Sequence, residues 1–317
     1  GNRLCEIGKT EDAAKAASFL RYRVFMELVP PGKTAEIQGV RGRHQRKERR
    51  IRMATIGFIG MGNMGKALLT GLLKEFPVEE LVFTAKTDET RRRVYAETQV
   101  TYTQSNAECA NSCKYVILAV KPQYYPQVLK QIRYAVTEEH VVISLAPGIT
   151  IEQLKESLGS DRRIVRAMPN TPALIGEGMP GLSFLAEELT GEEIDMVHKI
   201  FGCAGKYADV EERMMSAVVC ASGSSPAFVY QFIEALADGA VQFGLPRAQA
   251  YTFAAQAVAG AAKMVLETGK HPGELKDQVC SPGGTTIAGV AALENAGFRG
   301  AVLKACEACY EKSESMK

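Results

Sequence analysis

Tryptophan is absent from the 317 residues and aromatic side chains make up only 7%, which leaves little material for a surface that stacks nucleic-acid bases. No apolar run approaches the ~18 residues of a membrane-spanning helix, and the N-terminal end lacks the basic start, apolar stretch and small-residue cleavage site of a secretion signal. A dominant charge is also missing. The formal net charge is +2, and because residues 41–52 are nearly all basic the remainder is close to neutral or acidic. Outside that run nothing suggests a nucleic acid or an anionic membrane as partner. Histidine is scarce: His44, His140, His198 and His271 stand far apart. The eight cysteines (Cys5, Cys109, Cys113, Cys203, Cys220, Cys280, Cys306 and Cys309) are scattered. Cys306 and Cys309 form a CxxC, but no second pair with zinc spacing accompanies it, so the pair reads as two small residues one turn apart on a helix and no metal site is expected. Without a secretion signal, a disulfide framework is not expected either, and the chain reads as a protein of a reducing cytoplasm.

Hydrophobic residues make up 46% of the chain and charged residues 23%, as in ordinary soluble globular proteins, and the length suits about two domains. Residues 1–52 look foreign to the rest. They hold Pro30-Pro31-Gly32 and the basic run, and they read as a leader, with a nucleic-acid-binding arm or an extra module as alternatives. From Thr55 the pattern becomes β/α: strand-like runs over 55–59, 81–84, 115–120, 141–145 and 164–168, the earlier ones separated by helix-length segments. Such alternation predicts a parallel sheet with helices on both faces. Beyond Glu211 the strand signals stop. Helices are expected over 226–244, 246–268 and 285–296 and near 298–313, the second opened by Pro246 and closed by Gly269. Its many alanines allow close helix contact on more than one side. The expected fold is therefore an α/β Rossmann-type domain over residues 53–211, then an all-α domain over 212–317 that also buries a subunit interface.

The stretch from Ile56 to Leu68 carries GxGxxG between a strand and a helix, the context this motif requires. Gly60 permits the tight turn, Gly62 lets the backbone approach a pyrophosphate, and Gly65 lets helix and strand pack closely, with the helix N-terminus facing the phosphates. Met61, Asn63 and Met64 complete the loop. The end of the second strand reads Phe83-Thr84-Ala85-Lys86-Thr87-Asp88. No acid stands at Ala85 or Lys86 to take a ribose 2′-hydroxyl. Lys86, backed by Arg91 and Arg92, suits the 2′-phosphate of NADPH, the alternative being a solvated helix start. Asp88 reads as a helix N-cap.

Further motifs follow in order: Ala119-Val120-Lys121-Pro122, then residues 166–172 (RAMPNTP), then 235–238 (ALAD), then 271–279 (HPGELKDQV) running into 281–287 (SPGGTTI). With these, residues 53–312 resemble the pyrroline-5-carboxylate reductases, and the run over 271–287 is close to diagnostic. The resemblance implies a Rossmann domain followed by a helical domain that interlocks two subunits, often within larger rings. It implies cofactor contacts from the glycine loop, Asn106 and Ala119 to Pro122. It places Leu145, Ala146 and Asn170 near the nicotinamide end, and Ser281, Gly283, Gly284, Thr285 and Thr286 in the substrate site. The substrate and product would be pyrroline-5-carboxylate and proline, and the cofactor NADPH or NADH. Pro147, Ser225 and Phe228 depart from the residues usual in the family, without removing a group that the chemistry needs.

The residues support this chemistry by themselves. Two glycines leading into a helix expose several backbone N–H groups, a nest suited to a carboxylate, although a proline–glycine turn with a threonine N-cap would look the same. Reduction of a cyclic imine needs little from the protein, because the cofactor carries the hydride. A hydroxyl beside the ring nitrogen favours the protonated imine, and Thr286 is the candidate. His271 is expected to shape the turn at Pro272-Gly273. Two other readings remain. A β-hydroxyacid dehydrogenase needs a lysine base in the helical domain, for which only Lys263 is available. A nucleotide-sensing scaffold has no use for an intact 281–286 loop.

Overall fold

The computed structural model describes residues 54–316; the leader expected over residues 1–52 lies outside them. The sheet has eight strands in the order β3-β2-β1-β4-β5-β6-β7-β8. They are β1 (Ala54–Ile59), β2 (Leu81–Thr84), β3 (Thr101–Tyr102), β4 (Cys113–Leu118), β5 (Val141–Ser144), β6 (Arg163–Met168), β7 (Gly181–Phe184) and β8 (Ala208–Asp209). The five expected strands form its centre, and β1 to β6 pair in parallel. The sheet is nevertheless mixed, because β7 runs antiparallel to β6. The connection between them holds only the 3₁₀ turn Thr171–Ile175, not the crossover helix that a parallel neighbour requires. β3 and β8, at two residues each, are too short to carry a sequence pattern.

The helices of this part are α1 (Asn63–Leu72), α2 (Asp88–Thr98), α3 (Asn106–Asn111), α4 (Tyr125–Ile132), α5 (Ile151–Leu158) and α6 (Gly191–Gly202). The central strands are buried on both faces, so they read as apolar runs rather than as alternation. Successive residues nevertheless serve different cores. Phe58, Ile117 and Ile143 pack with Leu68 and Leu72 of α1 and Ile200 of α6. Ile59, Leu118 and Val142 pack with Leu129 of α4 and Leu154 of α5.

After β8 the chain is helical. α7 (Met215–Val218) passes through a π-helical segment (Val219–Ser224) into α8 (Ser225–Gln242), followed by α9 (Arg247–Thr268), α10 (Pro272–Val279), α11 (Thr285–Asn295) and α12 (Phe298–Glu314). Pro246 proves to be the N-cap of α9 rather than part of its first turn, and Gly269 ends it in the left-handed conformation. α10 was not expected from the sequence. It is short and polar, and Pro272-Gly273 reads as a turn. That turn is the start of the helix: His271 caps it, its Nδ1 accepting from the Gly273 N–H at 3.0 Å. Cys306 and Cys309 lie one turn apart on α12 and are both free. The apolar core here is small, with Ala237, Ala250 and Ala254 buried where α8 meets α9, while Tyr230, Phe243, Phe253, Leu266 and Leu303 are exposed. Among the described residues, no helix is long and apolar enough to cross a membrane.

Candidate active site

The strand order reverses between β1 and β4, and the crevice at their C-terminal ends is where doubly wound sheets take ligands. Gly60 leaves β1 with φ +103°, and a methyl group on it would lie 2.6 Å from Val120 Cγ1 and 2.8 Å from the Ala119 carbonyl oxygen. A methyl on Gly65 would meet the Gly60 carbonyl oxygen at 2.6 Å and Ala119 Cβ at 3.2 Å. The Ala119–Val120 step thus packs directly on the glycine turn, and the Ala119 N–H donates to the Ile59 carbonyl at 2.9 Å. Gly62 differs: nothing lies within 4 Å of a methyl placed there. It is the N-cap of α1, whose first turn has neither a side-chain cap nor an acid. Free N–H groups, the positive end of the helix dipole and open space therefore coincide, which fits a dinucleotide's pyrophosphate. Met61 is buried and Met64 partly buried against the sheet core, while Asn63 is exposed.

At the end of β2, Ala85 is buried and Lys86 is exposed, its Nζ 5.0 Å from the centre of the Tyr124 ring. Tyr124 follows the Lys121-Pro122 step in a 3₁₀ turn, a neighbour that pattern reasoning missed. Arg91 is engaged locally, donating to the Ala85 carbonyl and to Asp88 Oδ1. That pairing holds the Asp88 carboxyl below its usual pKa. Asp88 is not the N-cap of α2. Thr87 is, its hydroxyl accepting from the Thr90 N–H, and Asp88 stands one residue further in, where an anion favours the helix dipole and reaches an arginine three residues on. Asn106 opens α3 behind its N-cap Ser105 and donates from Nδ2 to Gln131 Oε1 at 2.6 Å.

Leu145 and Ala146 are buried where the chain leaves β5. Beneath them the Tyr125 hydroxyl donates to the Leu118 carbonyl at 2.9 Å and lies 3.0 Å from Ser144 Oγ; burial pushes its pKa up to about 12, so it remains a donor. Asn170 is buried too. Its Oδ1 accepts from the Met179 N–H, and its Nδ2 donates to the Ser222 carbonyl, each at 3.0 Å. Pro226 has no N–H to return to that carbonyl four residues back, so Asn170 supplies the donor and ties the end of β6 to the π-helical segment. A second tie escaped the sequence reading. Arg166, buried in β6, donates to Glu212 Oε1 at 2.7 Å, and the same oxygen accepts from the Ile151 N–H at 2.7 Å. An arginine in a strand gives no hint of a carboxylate 46 residues on.

The 281–286 loop joins α10 to α11. The Gly284 N–H donates to the Ser281 carbonyl at 3.1 Å, and Gly283 has φ +68°. Gly284, not a threonine, is the N-cap of α11, with no side-chain cap and no acid in the first turn. Thr285 is exposed and Thr286 half-buried. The structure therefore gathers the glycine loop, Ala119 to Pro122, Leu145, Ala146 and Asn170 at the C-terminal ends of neighbouring strands. Among the described residues, no hydrogen bond or ion pair runs from residues 281–286 to the sheet.

Comparison with known proteins adds three findings. Residues 212–316 match the family model for pyrroline-5-carboxylate reductase dimerisation, and residues 55–148 match that of coenzyme F420-dependent NADP oxidoreductases. The pyrroline-5-carboxylate reductase of Escherichia coli K12 is 49% identical over 264 residues, 82% of this chain and 97% of that one. Among solved structures, the enzyme of Coxiella burnetii superposes with a TM-score of 0.78 at 32% identity over 84% of this chain and 99% of its own. The Plasmodium falciparum pyrroline carboxylate reductase, solved with NADP bound, does so with a TM-score of 0.75 at 33% identity over 84% and 98%. Both the nucleotide crevice and the helical region after it are shared with these enzymes, and the chain belongs to the pyrroline-5-carboxylate reductase family.

Proposed function

We propose that the chain reduces Δ1-pyrroline-5-carboxylate to L-proline, with NADPH preferred over NADH, as a homodimer in a reducing cytoplasm. A reduced nicotinamide, when bound, supplies the hydride; the protein's part is to hold and orient the protonated imine. The uncapped start of α1 at Gly62 takes the pyrophosphate, Lys86 the 2′-phosphate, and Leu145, Ala146 and Asn170 frame the nicotinamide. Backbone N–H groups of Gly283 and Thr285 take the substrate carboxylate, that of Gly284, expected to join them, being already donated to the Ser281 carbonyl. The Thr286 hydroxyl accepts from the N–H of the imine protonated by solvent, and as the imine carbon gains hydride the C=N π pair becomes the lone pair of the amine.

The observation that carries this reading is the start of α11: a glycine-capped helix whose first turn is free of side-chain caps and acids beside a half-buried hydroxyl. A dimer accounts for two further features. The loop faces solvent, and α8, α9 and α12 leave Tyr230, Phe253, Leu266, Phe298 and Leu303 exposed, apolar surface of the kind that marks an interaction site. A second copy would cover that surface and give the loop a cofactor to face, and rings of such dimers are the further extension. The hydroxyacid-dehydrogenase reading is not favoured, since Lys263 is exposed and lies 3.9 Å from exposed Glu177, no place for a desolvated base. The test is to mix purified chain with pyrroline-5-carboxylate and NADPH or NADH and to follow nicotinamide absorbance and proline formation. Substrate-dependent oxidation that yields proline is expected; cofactor oxidation with a hydroxyacid alone, or none, overturns the reading.

A further inference from the structure

The loop over residues 145–150 leaves β5 and enters α5, and the structure fixes it at three points. At its start the Leu145 N–H donates to the Leu118 carbonyl at 3.2 Å. At its end Glu212 Oε1 accepts from the Ile151 N–H at 2.7 Å. Its apex, Pro147-Gly148, rests on the last residues of the described chain: a methyl on Gly148 would lie 2.7 Å from the Met316 carbonyl oxygen and 2.8 Å from Met316 Cβ. Gly148 has φ +76°, which a residue with a side chain adopts only at a cost. The end of α12 is itself tied down. Buried Ser313 donates from Oγ to Oγ of buried Ser216 at 3.0 Å, and Ser216 donates to Glu314 Oε1. Between apex and helix end lies a small, partly open cavity of about 10 Å³, lined by Ala146, Pro147, Gly148, Arg166, Ser216 and Ser313 among others. It has room for about one water.

Two of the three supports thus come from the helical region, one from its first residues (Glu212, with Ser216 beside it) and one from its last (Ser313 and Met316). We infer that residues 313–316 are a positioning element for hydride transfer, a strap that sets the height of the 145–148 loop against the nicotinamide. The inference rests on the reading that Leu145 and Ala146 frame that ring. Because interiors transmit small displacements rather than absorbing them, lifting the strap moves the loop while leaving the pyrophosphate site on Gly62 untouched. The expected signature is slower hydride transfer with unchanged cofactor affinity.

The test uses two forms of the chain. One ends at Ser315, which keeps both serine hydrogen bonds and removes Lys317 and Met316, the latter with its contact on Gly148 and its N–H bond to the Ser313 carbonyl. The other is Ser313→Ala, which keeps Met316 and loosens the helix end. For each, kcat at saturating substrate, NADPH affinity by fluorescence titration without substrate, the primary isotope effect with deuterated NADPH, and backbone hydrogen exchange over residues 145–150 are compared with the full chain. Expected are a fall in kcat of about fivefold to twentyfold, as misplacement of reacting groups brings, a larger isotope effect, NADPH affinity within about twofold, and faster exchange over 145–150. A purely structural role would lower the melting temperature without moving the isotope effect. The inference is overturned if kcat and exchange both stay at the full-chain values, or if NADPH affinity falls as far as kcat. Should the full chain itself fail to reduce the imine, the proposed function fails alone, and the exchange comparison still decides whether residues 313–316 hold the loop.

Discussion

Gly62 and Gly284 stand in the same backbone conformation at the heads of two helices: φ −77° and ψ −169° at one, φ −77° and ψ 172° at the other, with neither helix capped by a side chain. Five of the described helices carry a side-chain cap, on Thr87, Ser105, Thr150, Thr190 and His271, and α12 begins behind an uncapped glycine of left-handed conformation, Gly297. The two N-termini that open on an extended glycine are two places where an anion can complete the helix, one suited to a pyrophosphate and one to a carboxylate.

Gly62→Ala should therefore separate binding from folding. The backbone at Gly62 is ordinary for alanine and nothing crowds the added methyl, so the melting temperature should stay within a few degrees. The methyl stands where the phosphates approach, so NADPH affinity should fall roughly tenfold or more, the worth of at least one charge-assisted hydrogen bond. Gly60→Ala should do the opposite damage, since the methyl would press on the Ala119 backbone in a positive-φ turn. Thermal melts and fluorescence titration of both variants check this, and equal NADPH affinity in Gly62→Ala and the parent would count against it.

Thr286→Ala should lower kcat/KM about tenfold to a hundredfold, roughly what one or two lost hydrogen bonds are worth, with NADPH affinity unchanged. Thr286→Ser keeps the hydroxyl and should retain most activity. Thr285→Ala is the control. Because Gly284 and not Thr285 caps α11, its stability cost should be slight and turnover should survive. Steady-state kinetics on the three variants decide, and wild-type turnover by Thr286→Ala would remove that residue from the chemistry.

Lys86→Glu should shift preference from NADPH towards NADH. Arg91 is tied to Asp88 and the Ala85 carbonyl, so Lys86, with exposed Arg92 behind it, is left to meet a 2′-phosphate. The measurement is kcat/KM for both cofactors in both proteins. A parent that favours NADH, together with a substitution that changes nothing, would reverse the assignment.

His140 should make the protein less stable in mild acid. Burial holds its imidazole pKa below the usual value. Its Nδ1 accepts from the Thr137 N–H at 3.0 Å, so its Nε2 is the nitrogen that donates to the Ala110 carbonyl at 3.2 Å, an arrangement of the neutral ring. The unfolded chain takes up the proton near pH ~6.5 and the folded one only at lower pH. Between the two the unfolded state binds more protons, so stability falls as pH is lowered through that window. Urea midpoints at pH 7.5 and 5.5 should differ less in His140→Gln than in the parent; an unchanged difference would show that other groups carry the acid response.

Removal of residues 1–52 should leave reductase activity and melting temperature unchanged, since the composition breaks where the nucleotide-binding strand begins. An insoluble or inactive shortened chain would make the leader part of the enzyme.

The parts of this protein that local chemistry dictates were legible without coordinates. The glycine spacing, the five apolar strands, four of the helices with Gly269 closing one of them, and the turn at His271 each follow from neighbours a few residues apart. The misses share a cause as well. β7 and the two-residue strands exist because a neighbouring strand offers hydrogen bonds. Thr87 rather than Asp88 caps α2 because the helix begins one residue earlier than composition suggests, and Arg91 then claims the carboxylate. What only the tertiary structure decided is which distant groups share an atom. Asn170 reaches the carbonyl that Pro226 leaves open, Glu212 joins Arg166 to the Ile151 amide, and Ser313 closes on Ser216. A backbone's local preferences are written in each residue and its neighbours, whereas a buried polar group must find a partner wherever the fold happens to bring one.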